Sequence, residues 1–281
     1  MKKLIGLFVL FIHVARSFYC PGQFLYQPAG GRSAAMAHAS VIVEDAWAAI
    51  NNPAGLSGAD GISAGLYCEN RFMLKELALQ SGFVCIPVKT GAFGLSLMRQ
   101  GYSAFNEMKA GVSYGMRMGR IMSAGIRLDY VCVQSGLEYD KNVNLATFEL
   151  GIVTRLNQDI SMGIHIINPV SVTGGPLQLS VKNSLVKVAI GYSFSSKILM
   201  SVQAEKDLIS GILFRAGAEY ILIPGLCFRT GLSTEPFQLC FGFGYIKGRF
   251  AMDVSSTIHQ HLGWYPQLSV HFSGKKKGQG S

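Results

Sequence analysis

The sequence predicts an all-β fold: a closed antiparallel transmembrane β-barrel of about fourteen strands, with an N-terminal plug segment in the lumen. Three observations predict it. From Gly61 onward apolar and polar residues alternate with period two, the pattern of strands whose two faces meet different media. The chain is 49% hydrophobic and only 15% charged. Even so, beyond the N-terminus no apolar run reaches the ~18 residues that a helical span needs. The 33 glycines fall repeatedly on the polar face, where a concave inner wall makes side chains converge. A soluble sandwich also alternates, but its water-facing side is seldom so rich in glycine and serine.

The expected organisation is a signal peptide over 1–17, a hatch or plug segment over 18–60, the barrel over 61–272 and a polar tail over 273–281. Lys2 and Lys3 precede an apolar core, Leu4 to Val14, and Ala15-Arg16-Ser17 supplies the small residues of a cleavage point. Acylation at Cys20 fits less well, because Ser17-Phe18-Tyr19 lacks the aliphatic and small residues of a lipoprotein signal. The six cysteines form no CxxC pair, so neither a metal knuckle nor a dense disulfide framework is indicated. Of the net charge of +9, three units come from Lys2, Lys3 and Arg16 and three from Lys275-Lys276-Lys277. The remaining +3 gives no argument for nucleic acid as a partner.

The segment Gly30 to Leu56 has no strand period. Its alanines and serines permit close backbone packing in a narrow lumen, and Arg32, Glu44 and Asp45 are expected to pair with polar wall residues. Asn52 precedes proline and is driven to an extended conformation, Pro53 fixes the next φ, and Gly55 allows a turn. The expected result is a rigid bend that hands the chain to the first strand.

Within the barrel, Met108, Ala110, Val112, Tyr114, Met116 and Met118 alternate with Glu107, Lys109, Gly111, Ser113, Gly115 and Arg117. The aromatic row Phe237, Leu239, Phe241, Phe243 and Tyr245 repeats the pattern. Short breaks at 89–91, 119–120, 157–159, 195–196, 224–225 and 247–248 read as periplasmic turns. Longer joins are expected near 70–75, 101–106, 135–144, 168–183, 206–210, 232–236 and 257–264. The join at 168–183 contains two prolines, so it is an external loop, either mobile or folded back over the mouth. The last strand ends in Phe272, as barrel insertion signals do, and Trp264 with Tyr265 is assigned to the outer aromatic girdle.

The lumen face is expected to carry Glu107, Lys109, Arg117, Arg127, Asp129, Glu149, Arg155, Arg215, Glu219, Arg249 and Asp253. Both signs are interspersed, which suits salt-bridged ladders around a plug better than an ion-selective pore. Glu205 and Asp207 are expected at a solvated strand end. His259 and His261 lack a third metal ligand, and His165 and His271 need no special role. No catalytic elbow, phosphate loop or nucleotide fingerprint is present, so no enzyme activity, cofactor or metal is expected.

Arg32-Ser33-Ala34-Ala35-Met36, Asp45-Ala46-Trp47-Ala48 and Asn52-Pro53-Ala54 together resemble the N-terminal hatch of FadL-type outer-membrane hydrocarbon and fatty-acid transporters. They also resemble the related PorV/PorQ-type barrels of type IX secretion. The stretch that carries the motifs, Gly30 to Leu56, covers 27 residues; the rest of the resemblance is architectural. It implies a hatch in the lumen, with Arg32, Asn52, Pro53 and Ala54 as plug and gate. In the transporters it implies a lateral opening that releases a hydrophobic ligand into the membrane. The chain is shorter than those transporters, leaving little room for the external loops that form their greasy access site. This brings it nearer the secretion-linked barrels, which attach or shuttle exported proteins.

The expectation is therefore an outer-membrane barrel surrounded by lipid that admits a hydrophobic ligand. The alternative is a non-transporting barrel with secretion-system partners. A soluble lipid-binding β protein is the third reading.

Overall fold

The computed structural model describes residues 26–135, 143–169, 184–208 and 211–274. The expected signal peptide, Cys20, most of the joins at 135–144 and 168–183, and the Lys275–Lys277 tail lie outside them.

Fourteen strands form one closed ring. They are β1 (Ser63–Asn70), β2 (Ala78–Val88), β3 (Gly91–Gly101), β4 (Phe105–Met118) and β5 (Met122–Ser135). Next come β6 (Val143–Arg155), β7 (Ile160–Ile167), β8 (Leu185–Ser195), β9 (Ile198–Asp207) and β10 (Ile212–Ile223). The ring ends with β11 (Leu226–Thr234), β12 (Phe237–Lys247), β13 (Phe250–His259) and β14 (Gly263–Ser273). Each strand pairs antiparallel with its sequence neighbours, and β1 pairs with β14 from Ser63↔Ser273 to Glu69↔Gln267, so no edge is left open. Closure matters because lipid offers no hydrogen bonds to a bare strand edge.

Period two decides which residues meet lipid. On β12 Phe237, Leu239, Phe241, Phe243 and Tyr245 are all exposed, while Cys240, Gly242 and Gly244 between them are buried. The same rule corrects one expectation. Trp264 points outward, but Tyr265, its neighbour in β14, is buried in the interior and stacks edge-on against Phe72 at 5.2 Å, so it is no part of an outer girdle.

Six tight connections lie at one end of the barrel, at 89–90, 119–121, 156–159, 196–197, 224–225 and 248–249, where the sequence places them. Both ends of the ring, Ser63 and Ser273, lie at this turn end, which is the periplasmic side in barrels of this kind. At the opposite, loop end, three joins expected to be long are short: 102–104, 235–236 and 260–262. The strands simply run further. Leu232 and Ser233 keep their alternation inside β11, and Gly263, with φ +87, allows β14 to restart at once.

Residues 26–59 run inside the ring from one end to the other. Tyr26 meets Asn168 and Gln27 meets Arg71 at the loop end, whereas Ser57 donates to Ser123 at 2.7 Å at the turn end. A short helix, α1 (Gly31–Ala35), packs on β11 to β14. Two 3-10 turns, Ala46–Ala49 and Pro53–Gly58, pack on β1 to β4 and on β3 to β6. Ala34, Ala39, Ala49, Ala54 and Leu56 have no exposed surface. The wall glycines explain the fit: a Cβ at Gly125 would come within 2.5 Å of Ala54 N, and one at Gly242 within 2.9 Å of Ala35 Cβ.

Candidate functional site, the filled lumen

The inner segment is held in shape by its own polar groups. Asn52 Nδ2 donates to Val41 O at 2.7 Å, and Asn52 Oδ1 accepts from Ala54 N at 3.3 Å, capping the turn that Pro53 begins. Asn51 and Ala29 exchange two bonds, at 2.9 and 3.0 Å. Asp45 caps the Ala46–Ala49 turn through Trp47 N at 2.9 Å. The Trp47 indole packs edge-on against Phe83, 4.7 Å between ring centres, and against Tyr67 at 6.3 Å.

Around the segment the wall carries charges of both signs, grouped on adjacent strands. On β4 to β7, Lys109 Nζ lies 2.7 Å from Glu149 and 3.2 Å from Asp129, Arg127 Nε lies 2.7 Å from Asp129, and His165 Nε2 lies 2.9 Å from Glu149. Arg127 also donates to Ile50 O of the inner segment at 2.5 Å. On β8 to β10, Arg215 lies 2.7 Å from Glu205 and donates to Ala37 O at 3.0 Å. On β10 to β13, Arg229 bridges Glu219 and Asp253, each at 2.5 Å. Arg32 joins this last group from within, 2.7 Å from Glu219 and 3.2 Å from Asp45.

Arg127, Asp129, Glu149, Arg215, Glu219 and Asp253 thus lie on the inner face. Arg117 shares their parity but is exposed at the turn-end rim, beyond the segment. Arg155 lies at the same rim and pairs with Glu44. Arg249 falls in the β12–β13 connection instead of on a strand face, because β12 ends at Lys247. Glu205 is buried, not solvated, since β9 continues two residues past it and places it between Lys187 and Arg215. Lys187 and Arg229, absent from the expected lumen set, also face inward, as parity within Val186–Val188 and within Phe228–Thr230 marks them. His38, on the inner segment, is held well below its ordinary pKa by burial first, then by Arg215 and Lys187.

Among the described residues no three metal-ligating side chains gather. His259 Nδ1 accepts from the backbone N–H groups of His261 and Leu262, at 3.1 and 3.2 Å, which ties that pair into a loop. Two of the hollows among the described residues bear on function. One, about 630 Å³, opens at the turn end between Ile42, Glu44, Arg120, Arg155 and Leu199. The other, about 640 Å³, is apolar and lies on the wall over β13, β14 and β1 to β3.

No protein-family model matches the sequence, and no curated protein does. Solved structures match over almost the whole barrel. The CymD monoaromatic hydrocarbon channel superposes with a TM-score of 0.70 at 12% identity, over 90% of this chain and 99% of the other. The P. putida toluene transporter TodX gives 0.67 at 11%, over 89% and 99%. A Pseudomonas aeruginosa FadL homologue gives 0.65 at 11%, over 87% and 98%. The chain therefore has the FadL-like barrel fold.

Proposed function

We propose that this barrel passively admits a small hydrophobic molecule across the outer membrane, and that the inner segment is its hatch. Arg32, Asn52, Pro53 and Ala54 then hold the gate. The observation that carries the reading is the division of labour among the lumen charges. The wall groups satisfy one another: if Arg32 leaves, Glu219 keeps Arg229, and if Ile50 leaves, Arg127 keeps Asp129 and Glu149. Removing the segment therefore strands few buried charges, which lowers the free energy of opening. Interspersed signs give the lumen no preference for either kind of ion, which suits a neutral passenger.

The fold shared with hydrocarbon channels supports the same class of passenger and gives no support to enzymatic chemistry. No observation favours the secretion-linked alternative. The test is a liposome assay. Protein lacking residues 30–56 should leak small solutes faster than the intact chain, and the intact chain should speed entry of toluene-like probes over protein-free vesicles. Unchanged leak would remove the hatch, and unaided probe entry would remove transport. Stable capture of exported proteins from outer membranes would favour the alternative instead.

A further inference from the structure

The wall hollow has nothing to do with the lumen charges, yet it is built from a specific row of side chains. Register sets Phe272, Ala64, Val84 and Leu95 side by side across β14, β1, β2 and β3, with Val270, Leu66, Gly82 and Leu97 in the next row. Ala64 and Gly82 are the small members, so the rows dip between the Phe272 ring and the leucines of β3. Phe250, packed on Phe272 at 5.2 Å between ring centres, forms the turn-end wall of the dip.

We infer that this hollow seats one acyl chain of an anionic phospholipid from the periplasmic leaflet, with its phosphate beside Arg249. Two features select that occupant. The hollow is continuous with the outward face of the barrel, so hydrocarbon already adjoins it. Its turn-end limit is basic. Arg249 immediately precedes Phe250 and is exposed, its backbone oxygen accepting from Ser273 N at 2.8 Å fixes the connection against the end of β14, and Lys247 lies two residues before it. A basic side chain at a membrane surface attracts an anionic headgroup while its stem lies along hydrocarbon.

The proposal rests on the membrane barrel alone and stands whether or not the lumen carries a passenger. Full-length protein is delipidated in detergent and offered equal amounts of phosphatidylglycerol and phosphatidylethanolamine, and bound lipid is counted by native mass spectrometry. The intact chain should retain phosphatidylglycerol about five-fold better, the ratio that ~1 kcal/mol per basic side chain gives. Arg249→Gln combined with Lys247→Gln should abolish the preference without reducing total lipid. Ala64→Leu, which fills the dip, should reduce both lipids, and gel mobility before and after heating checks that each variant folds. Equal retention by the intact chain overturns the inference, as does a preference that survives the double substitution. Loss of a dimer in Ala64→Leu with lipid binding unchanged would assign the hollow to a second copy and overturn it too.

Discussion

Arg32 and Glu219 are joined at two points, Nε to Oε2 at 2.9 Å and Nη2 to Oε1 at 2.7 Å, across 187 residues of sequence. A planar guanidinium facing a carboxylate in this way resists rotation as well as separation. The contact ties the inner segment to β10, and Glu219 is already neutralised by Arg229 on the other side.

Arg32→Ala should therefore loosen the segment while leaving the wall intact. Arg32 is partly exposed, so the loss is about 2 kcal/mol, below the range for a fully buried pair. Single-channel recording should show more frequent opening, with the thermal unfolding of the barrel little changed. Arg32→Lys should restore only part of the closure, because an ammonium cannot make the paired contact.

Gly151→Ala and Gly125→Ala should be harsher than Gly163→Ala. At Gly151 a methyl group would fall on Asn52 Oδ1, and at Gly125 it would fall on the Pro53–Ala54 peptide, neither of which can yield without moving the bend. At Gly163 the contacts are looser, Val41 Cγ1 at 2.9 Å with Ile42 Cγ2 and Val41 O at 3.3 Å, so a shift of a few tenths of an ångström accommodates the methyl group. Solute leak from liposomes should rise in the first two and stay near the parent level in the third.

Asn52→Ala should cost about 1–3 kcal/mol of local stability, because Val41 O is buried and loses its donor. Asn52→Asp removes the same donor and adds a charge. Both should speed amide exchange between residues 41 and 54, measured in detergent, and the aspartate variant should exchange at least as fast.

Acid should open the segment. Burial, with Arg215 and Lys187 nearby and Glu205 opposing them, keeps His38 neutral in the packed state, whereas the released segment takes up a proton near the ordinary histidine pKa of about 6.5. The released state then binds more protons, so packing weakens as pH falls below that value. Leak should climb between about pH 6.5 and pH 5, and His38→Gln should flatten the part of the slope that this residue contributes. An identical slope in the variant would show that other groups set it.

Much of this architecture is legible in the sequence because period two is a local signal. It places Met108 and Phe241 in lipid and Lys109 and Asp253 inside without knowledge of any partner strand. The same signal, applied more strictly, also separates Trp264 from Tyr265. Strand ends are less legible, since glycines such as Gly101 and Gly263 serve equally in a long loop and in a tight one, and only pairing decides between them. The lumen clusters are legible as a list of charges but not as pairs. Which carboxylate Arg215 takes depends on the register of β9 against β10, and Glu205 reads as a solvated strand end because nothing local shows that β9 runs on to Asp207.

The segment passes directly into β1, from Ala59 to Ser63, without a break in the chain. If this segment is the gate proposed above, its release is an intramolecular event, and the displaced segment remains near its seat at an effective concentration of roughly millimolar or more. Reclosure then needs no encounter and is independent of protein concentration. Openings should be brief flickers whose lifetime is a property of the single molecule, so passage through this barrel would be metered in bursts and not held in a lasting open state.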